Sequence, residues 1–77
     1  MSQRLPRVTA DEVIRVIEKV GFTLARQSGS HKIYRSLVGK RVTVPYHKGK
    51  VLHPRVLASI LKDANLSREE FKNLLAE

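Results

Sequence analysis

Three histidines supply the only side chains of this sequence that ordinarily titrate near neutrality. His31 lies in Gln27-Ser28-Gly29-Ser30-His31-Lys32-Ile33-Tyr34-Arg35, where a small polar turn hands over to a strand. A side chain at such a junction can remain accessible and take a proton. Ser30 offers a hydrogen bond, and Lys32 and Arg35 offer positive charge. Cleaving an RNA phosphodiester needs a base for the 2′-hydroxyl proton and a donor or cation for the crowded phosphate. These residue types fit that chemistry without a metal. The competing reading is a structural histidine at a strand start, and the motif alone does not separate the two.

His47 and His53 compete with His31. His47 lies in the basic run Tyr46-His47-Lys48-Gly49-Lys50, where it could bind phosphate or act as a paired acid. His53 directly precedes Pro54, and a helix N-terminus disfavours an imidazolium, so a neutral residue at the start of a helix is expected. Their spacing matches no compact metal-ligand motif, and no metal is expected. Tyr34 and Tyr46 could stack on unpaired bases, or Tyr34 could pack at the sheet edge. Arg41, Lys48 and Lys50 complete the candidate RNA-binding set. No P-loop, dinucleotide fingerprint or Ser-His-Asp order occurs.

Charge points the same way. Fifteen Lys and Arg against seven Asp and Glu give +8 on 77 residues. From residue 19 to residue 62 there is no acidic side chain, while ten basic ones fall in that segment. A one-signed field of this kind concentrates a polyanion or an acidic protein. There is no cysteine, hence no disulfide or thiolate zinc site, which fits a reducing compartment. No apolar run suits a signal peptide or a membrane span, and a cytoplasmic protein is expected. One core of this size supplies a net ~3–5 kcal/mol, which favours a surface site over a deep pocket.

The supporting elements can be read in order. Residues 1–8 form a basic arm within a single domain over 1–77. Thr9-Ala10-Asp11-Glu12 has the form of a capping box, and Val13, Val16, Ile17 and Val20 follow at helical spacing, predicting a helix over about 10–20 closed by Gly21. Residues 22–27 alternate as a half-buried strand, 31–36 form a second and 41–45 a third, ending at Pro45. The short connections make an antiparallel meander. Pro54 opens a second helix that Asn65 closes, and Ser67-Arg68-Glu69-Glu70 caps a short last helix. The order is α-β-β-β-α-α, an α+β domain with helices over one face of a three-stranded sheet. If Ile33 faces the helices, alternation puts His31 on that face too, half-shielded, with Lys32 and Tyr34 on the open one.

These stretches resemble the HicA-type toxins, the small mRNA interferases of HicA–HicB toxin–antitoxin pairs. The likeness runs from Leu5-Pro6-Arg7-Val8 through Gly21-Phe22, Gly29-Ser30-His31-Lys32-Ile33-Tyr34-Arg35 and Val42-Thr43-Val44-Pro45 to residues 57–71. The resemblance implies a double-stranded-RNA-binding-domain-like fold and ribosome-independent mRNA cleavage. It also implies His31 as catalytic residue beside Gly29 and Ser30, and a HicB-like antitoxin as partner. One departure stands out: the family often has a His-Gly-type loop and a lysine before the helix proline. Here His47-Lys48-Gly49-Lys50 and His53 take those places. A non-catalytic RNA-binding module is the alternative on the same residues, and a purely protein-binding domain is a third class.

Overall fold

The first helix, α1 (Ala10–Lys19), is set by its cap. The Thr9 hydroxyl accepts from the Glu12 amide at 3.4 Å, and the Glu12 carboxylate accepts from the Thr9 amide at 2.9 Å. Val13, Val16 and Ile17 then turn to the interior and are fully buried. Gly21, at φ +100°, lets the Phe22 amide reach back to the Ile17 carbonyl at 3.0 Å, which stops the helix and sends Phe22 into the core. The computed structural model describes residues 5–77; the predicted arm over 1–8 falls partly outside them. Val8, in that predicted arm, is fully buried.

Three strands follow: β1 (Thr23–Ser28), β2 (His31–Arg35) and β3 (Arg41–Pro45), in the sheet order β1-β2-β3, antiparallel throughout. Helix α2 (Pro54–Ala64) packs on β3 and α3 (Arg68–Ala76) packs on α1, giving the α+β architecture read from the sequence. Val42 and Val44 of β3, Tyr34 of β2, Leu57 of α2 and Phe71 of α3 meet in one core cluster. Asn65 closes α2 in the left-handed region, φ 58° and ψ 41°, as predicted.

Two sequence expectations need correcting. The first is the half-buried β1. All six of its residues are exposed, Leu24 by 50%, because the helices lie over β3 and leave β1 as an overhanging edge. Its register also slips between Leu24 and Arg26, a bulge that the pattern of residue types does not announce.

The second is the phase of β2. Residues paired directly across an antiparallel ladder share a face, and Tyr34 pairs with the fully buried Val42. Tyr34 and Lys32 therefore face the helices. His31, Ile33 and Arg35 face the other way, the reverse of what Ile33 in the core requires. Ile33 is 7% exposed but lies outside the core cluster, held in the ladder between Arg26 and Thr43.

Polar contacts fix the helix ends. Arg15 donates to the Glu77 and Leu75 carbonyls at 3.1 and 3.0 Å, and Lys19 donates to the Leu74 carbonyl at 3.0 Å. Cations of α1 thereby complement the negative C-terminal end of α3. At its other end, the Ser67 amide donates to the Glu70 carboxylate at 2.8 Å and the Ser67 hydroxyl accepts from the Glu70 amide at 3.0 Å.

Two predictions arise from this packing. Phe71→Ala empties a fully buried site and is expected to lower the unfolding free energy by about 3–5 kcal/mol, as read by urea denaturation. A loss of that size rivals the whole stability of so small a domain. The hydrogen bonds from Ser67 hold the Glu70 carboxyl below the usual glutamate range. Their contribution is full above the unfolded glutamate value and is lost as the pH falls through the depressed one. Protection of the amides at the start of α3, taken as exchange relative to the intrinsic rate at each pH, should therefore fall in acid, and Glu70→Gln should blunt that response.

Candidate active site

The turn before β2 is a two-residue hairpin connection. Ser28 pairs with His31, so Gly29 and Ser30 are its two loop residues. Gly29 has φ +58° and Ser30 does not share the positive sign, the pattern of a type II′ turn with glycine at its first central position. A side chain there would be strained. The Gln27 side-chain amide donates to the Gly29 carbonyl at 3.1 Å and ties the turn down. His31 emerges at its end, exposed, on the face that carries no helix.

That face is basic. Arg26 pairs with Ile33, Arg35 pairs with Arg41, and Thr43 also pairs with Ile33, so these side chains leave the sheet on the side of His31. Among the described residues, none of Arg26, His31, Arg35 and Arg41 has an ion-pair partner. Four residues along a strand span about 13 Å, so Arg35 and Arg41 hold the far end of this face.

Of the predicted site residues, His31, Arg35 and Arg41 share the open face, His31 at one end beside Gly29 and Ser30 of the turn and the two arginines at the other. His47, Lys48 and Lys50 follow β3 in an exposed turn at the same end of the sheet as His31. Tyr34 does not join them. It is 3% exposed within the core, so its ring is closed to base stacking. Lys32 lies on the helix side, its ammonium 3.9 Å from the centre of the Tyr46 ring. Tyr46 in turn donates from its hydroxyl to Asp11 at 3.2 Å, and its amide donates to the Ser30 carbonyl at 2.6 Å. This array brackets the turn at Gly29 and Ser30 against the N-terminus of α1.

His53 is the N-cap of α2: its Nδ1 accepts from the Arg55 amide at 3.0 Å. That is the structural role expected of it. Among the described residues no three of His, Cys, Asp and Glu gather as metal ligands would. Arg26 and Thr43 are the members of the open face that sequence reasoning missed. Arg26 was readable as part of the acid-free segment, but the bulge at residue 25 hid which way it points.

Both tyrosines hold their protons above the usual phenol range. Burial is the first cause at Tyr34, followed by the negative charges of Glu18 and Asp11 and by Tyr46. The hydrogen bond to Asp11 is the first cause at Tyr46, ahead of burial and the charge of Asp11. The stabilisation from such a neutral phenol is fully present below the ordinary value of 10.0 and is lost as the pH rises through the raised one.

The sheet topology, the one-sided helical cover and the exposed turn-to-strand histidine define a small α+β domain of double-stranded-RNA-binding-domain type with a basic open face. The family model for the HicA toxin of bacterial toxin–antitoxin systems matches residues 10–66, and the chain belongs to that family. A comparison with curated proteins finds no match. No helix among the described residues is long and apolar enough to cross a membrane.

The Tyr46–Asp11 bond yields a direct prediction. In an alkaline absorbance titration, Asp11→Ala should let one phenol ionise at lower pH than in the wild type. Tyr34, held chiefly by burial, should still titrate late.

Proposed function

We propose that this toxin is a metal-independent endoribonuclease that cleaves mRNA in the cytoplasm, with His31 as general base, and that a HicB-like antitoxin neutralises it. The observation that carries the reading is an exposed histidine at the end of an open sheet face bearing Arg26, Arg35 and Arg41 and, among the described residues, no carboxylate. Family membership supplies the toxin role and an antitoxin partner.

The chemistry follows from those groups. His31 takes the proton of a ribose 2′-hydroxyl. The freed oxygen attacks the adjacent phosphorus, the bond from phosphorus to the 5′-oxygen breaks as that oxygen takes up a proton, and a 2′,3′-cyclic phosphate and a 5′-hydroxyl result. A positioned base contributes about 10²–10⁴-fold to such a step. The arginines hold the flanking phosphates, and Gly29 and Ser30 fix the exit of the strand that carries His31. A HicB-like antitoxin would block the enzyme by covering this face, whose positive charge suits an acidic partner surface.

Purified protein is expected to cleave single-stranded RNA with EDTA present. His31→Ala should lose about 10²-fold or more of that rate, and the growth arrest caused by induced expression, with an unchanged circular dichroism spectrum. Undiminished cleavage by this variant would remove His31 from the base role. Wild-type protein that binds RNA without cutting it would be a binding module only. Replacing Arg35 and Arg41 together by Gln should weaken RNA binding and flatten its salt dependence, by a slope of about 0.7 for each phosphate no longer neutralised.

A further inference from the structure

The β2–β3 ladder does not stop at its last assigned pair. His31 faces Pro45 across it, and the Tyr46 amide donating to the Ser30 carbonyl carries the pairing one residue further. The strand itself ends at Pro45, and this bond extends its pairing by one residue. Tyr46 points to the helix side, as its contacts with Lys32 and Asp11 require, and alternation continued one residue further directs the next residue to the opposite side. That residue is His47. It stands two positions beyond the direct partner of His31, a diagonal neighbour on the same face. Diagonal neighbours in an antiparallel pair are about 7–8 Å apart.

His47 is also held in position. Its carbonyl accepts from the Lys50 amide at 3.0 Å, closing a turn over residues 47–50. Beyond that turn, Val51 bridges to Thr9 and the Leu52 amide donates to the Val8 carbonyl at 2.8 Å. The backbone is thus pinned on both sides of the turn, and the exposed imidazole of His47 has no partner among the described residues. His53 is different, since its ring is already engaged as an acceptor at the cap of α2.

We infer that His47 is the general acid of the cleavage, protonating the departing 5′-oxygen while His31 deprotonates the 2′-hydroxyl; this rests on the endoribonuclease reading above. The step balances. One proton passes from the 2′-hydroxyl to His31, one passes from the His47 imidazolium to the 5′-oxygen, one phosphorus–oxygen bond forms and one breaks. In-line displacement puts the attacking and departing oxygens on opposite sides of phosphorus, so base and acid must reach it from two directions. Two imidazoles flanking one end of a sheet meet that need, and imidazole is the side chain able to serve as either partner near neutral pH.

The test compares two substrates: an ordinary RNA oligonucleotide, and the same oligonucleotide with sulfur replacing the 5′-bridging oxygen at the cleaved linkage. A thiolate leaves without being protonated, so loss of the acid should matter only for oxygen. His47→Ala and His47→Gln are expected to cut the ordinary linkage about 10²-fold or more slowly than wild type, yet to cut the sulfur linkage within a few-fold of it. His31→Ala should be slow on both. His47 variants with wild-type rates on the ordinary linkage would overturn the assignment, and so would equal losses on both substrates, the mark of a phosphate anchor. Wild-type protein inactive on both substrates would instead overturn the endoribonuclease reading itself. The Gln variant retains the bulk and polarity of the side chain, so a folding defect confined to Ala leaves the comparison intact.

Discussion

The phase of β3 governs the molecule. Val42 and Val44 are fully buried and Arg41 and Thr43 exposed, so this strand has one side for the helices and one for solvent. Direct pairing imposes the same division on β2, because each residue shares a face with its partner across the ladder. A slip of one residue would drive His31 and Arg35 under α1 and α2 and would bring Tyr34 into water. The accessible histidine is thus a consequence of where two valines must go.

This dependence explains which parts of the architecture were legible in the sequence. Helices α1 and α3 announce themselves through capping boxes, and α2 through Pro54 and Asn65, because capping is local chemistry that neighbouring residues complete. The hairpin at Gly29 is local in the same sense. The phase of β2 is not. Ile33 and Tyr34 are adjacent and both apolar, so alternation can be read with either one inward, and only the partner strand decides. The bulge in β1 is likewise invisible, since no glycine or proline marks it. His31 was legible as a candidate, whereas its face, and with it the company of Arg26 and Thr43, was not.

Charge behaves in the same way. The acid-free stretch is a linear fact, but the fold divides it into two kinds of cation. Lys32 is engaged by Tyr46, and Arg15 and Lys19, from the preceding helix, are engaged by the end of α3. Two acids of the first turn of α1 are occupied too: Asp11 binds the Tyr46 hydroxyl and Glu12 closes the cap at Thr9. What is left over on the open face is positive charge without a counterion among the described residues.

The pair Arg35 and Arg41 shows that this arrangement opposes folding. Like charges directly opposite each other in a ladder are destabilising, and neither arginine has an acidic partner among the described residues. A domain with so small a core has little stability to spare, and exchanging one arginine for an acid would turn the repulsion into attraction. The arrangement makes physical sense where an external polyanion or acidic surface supplies the missing charge, since whatever binds only the folded state also stabilises it. A local rule is broken on the face that carries the exposed histidine, while the caps, turns and core obey theirs, which is the pattern expected of a functional face.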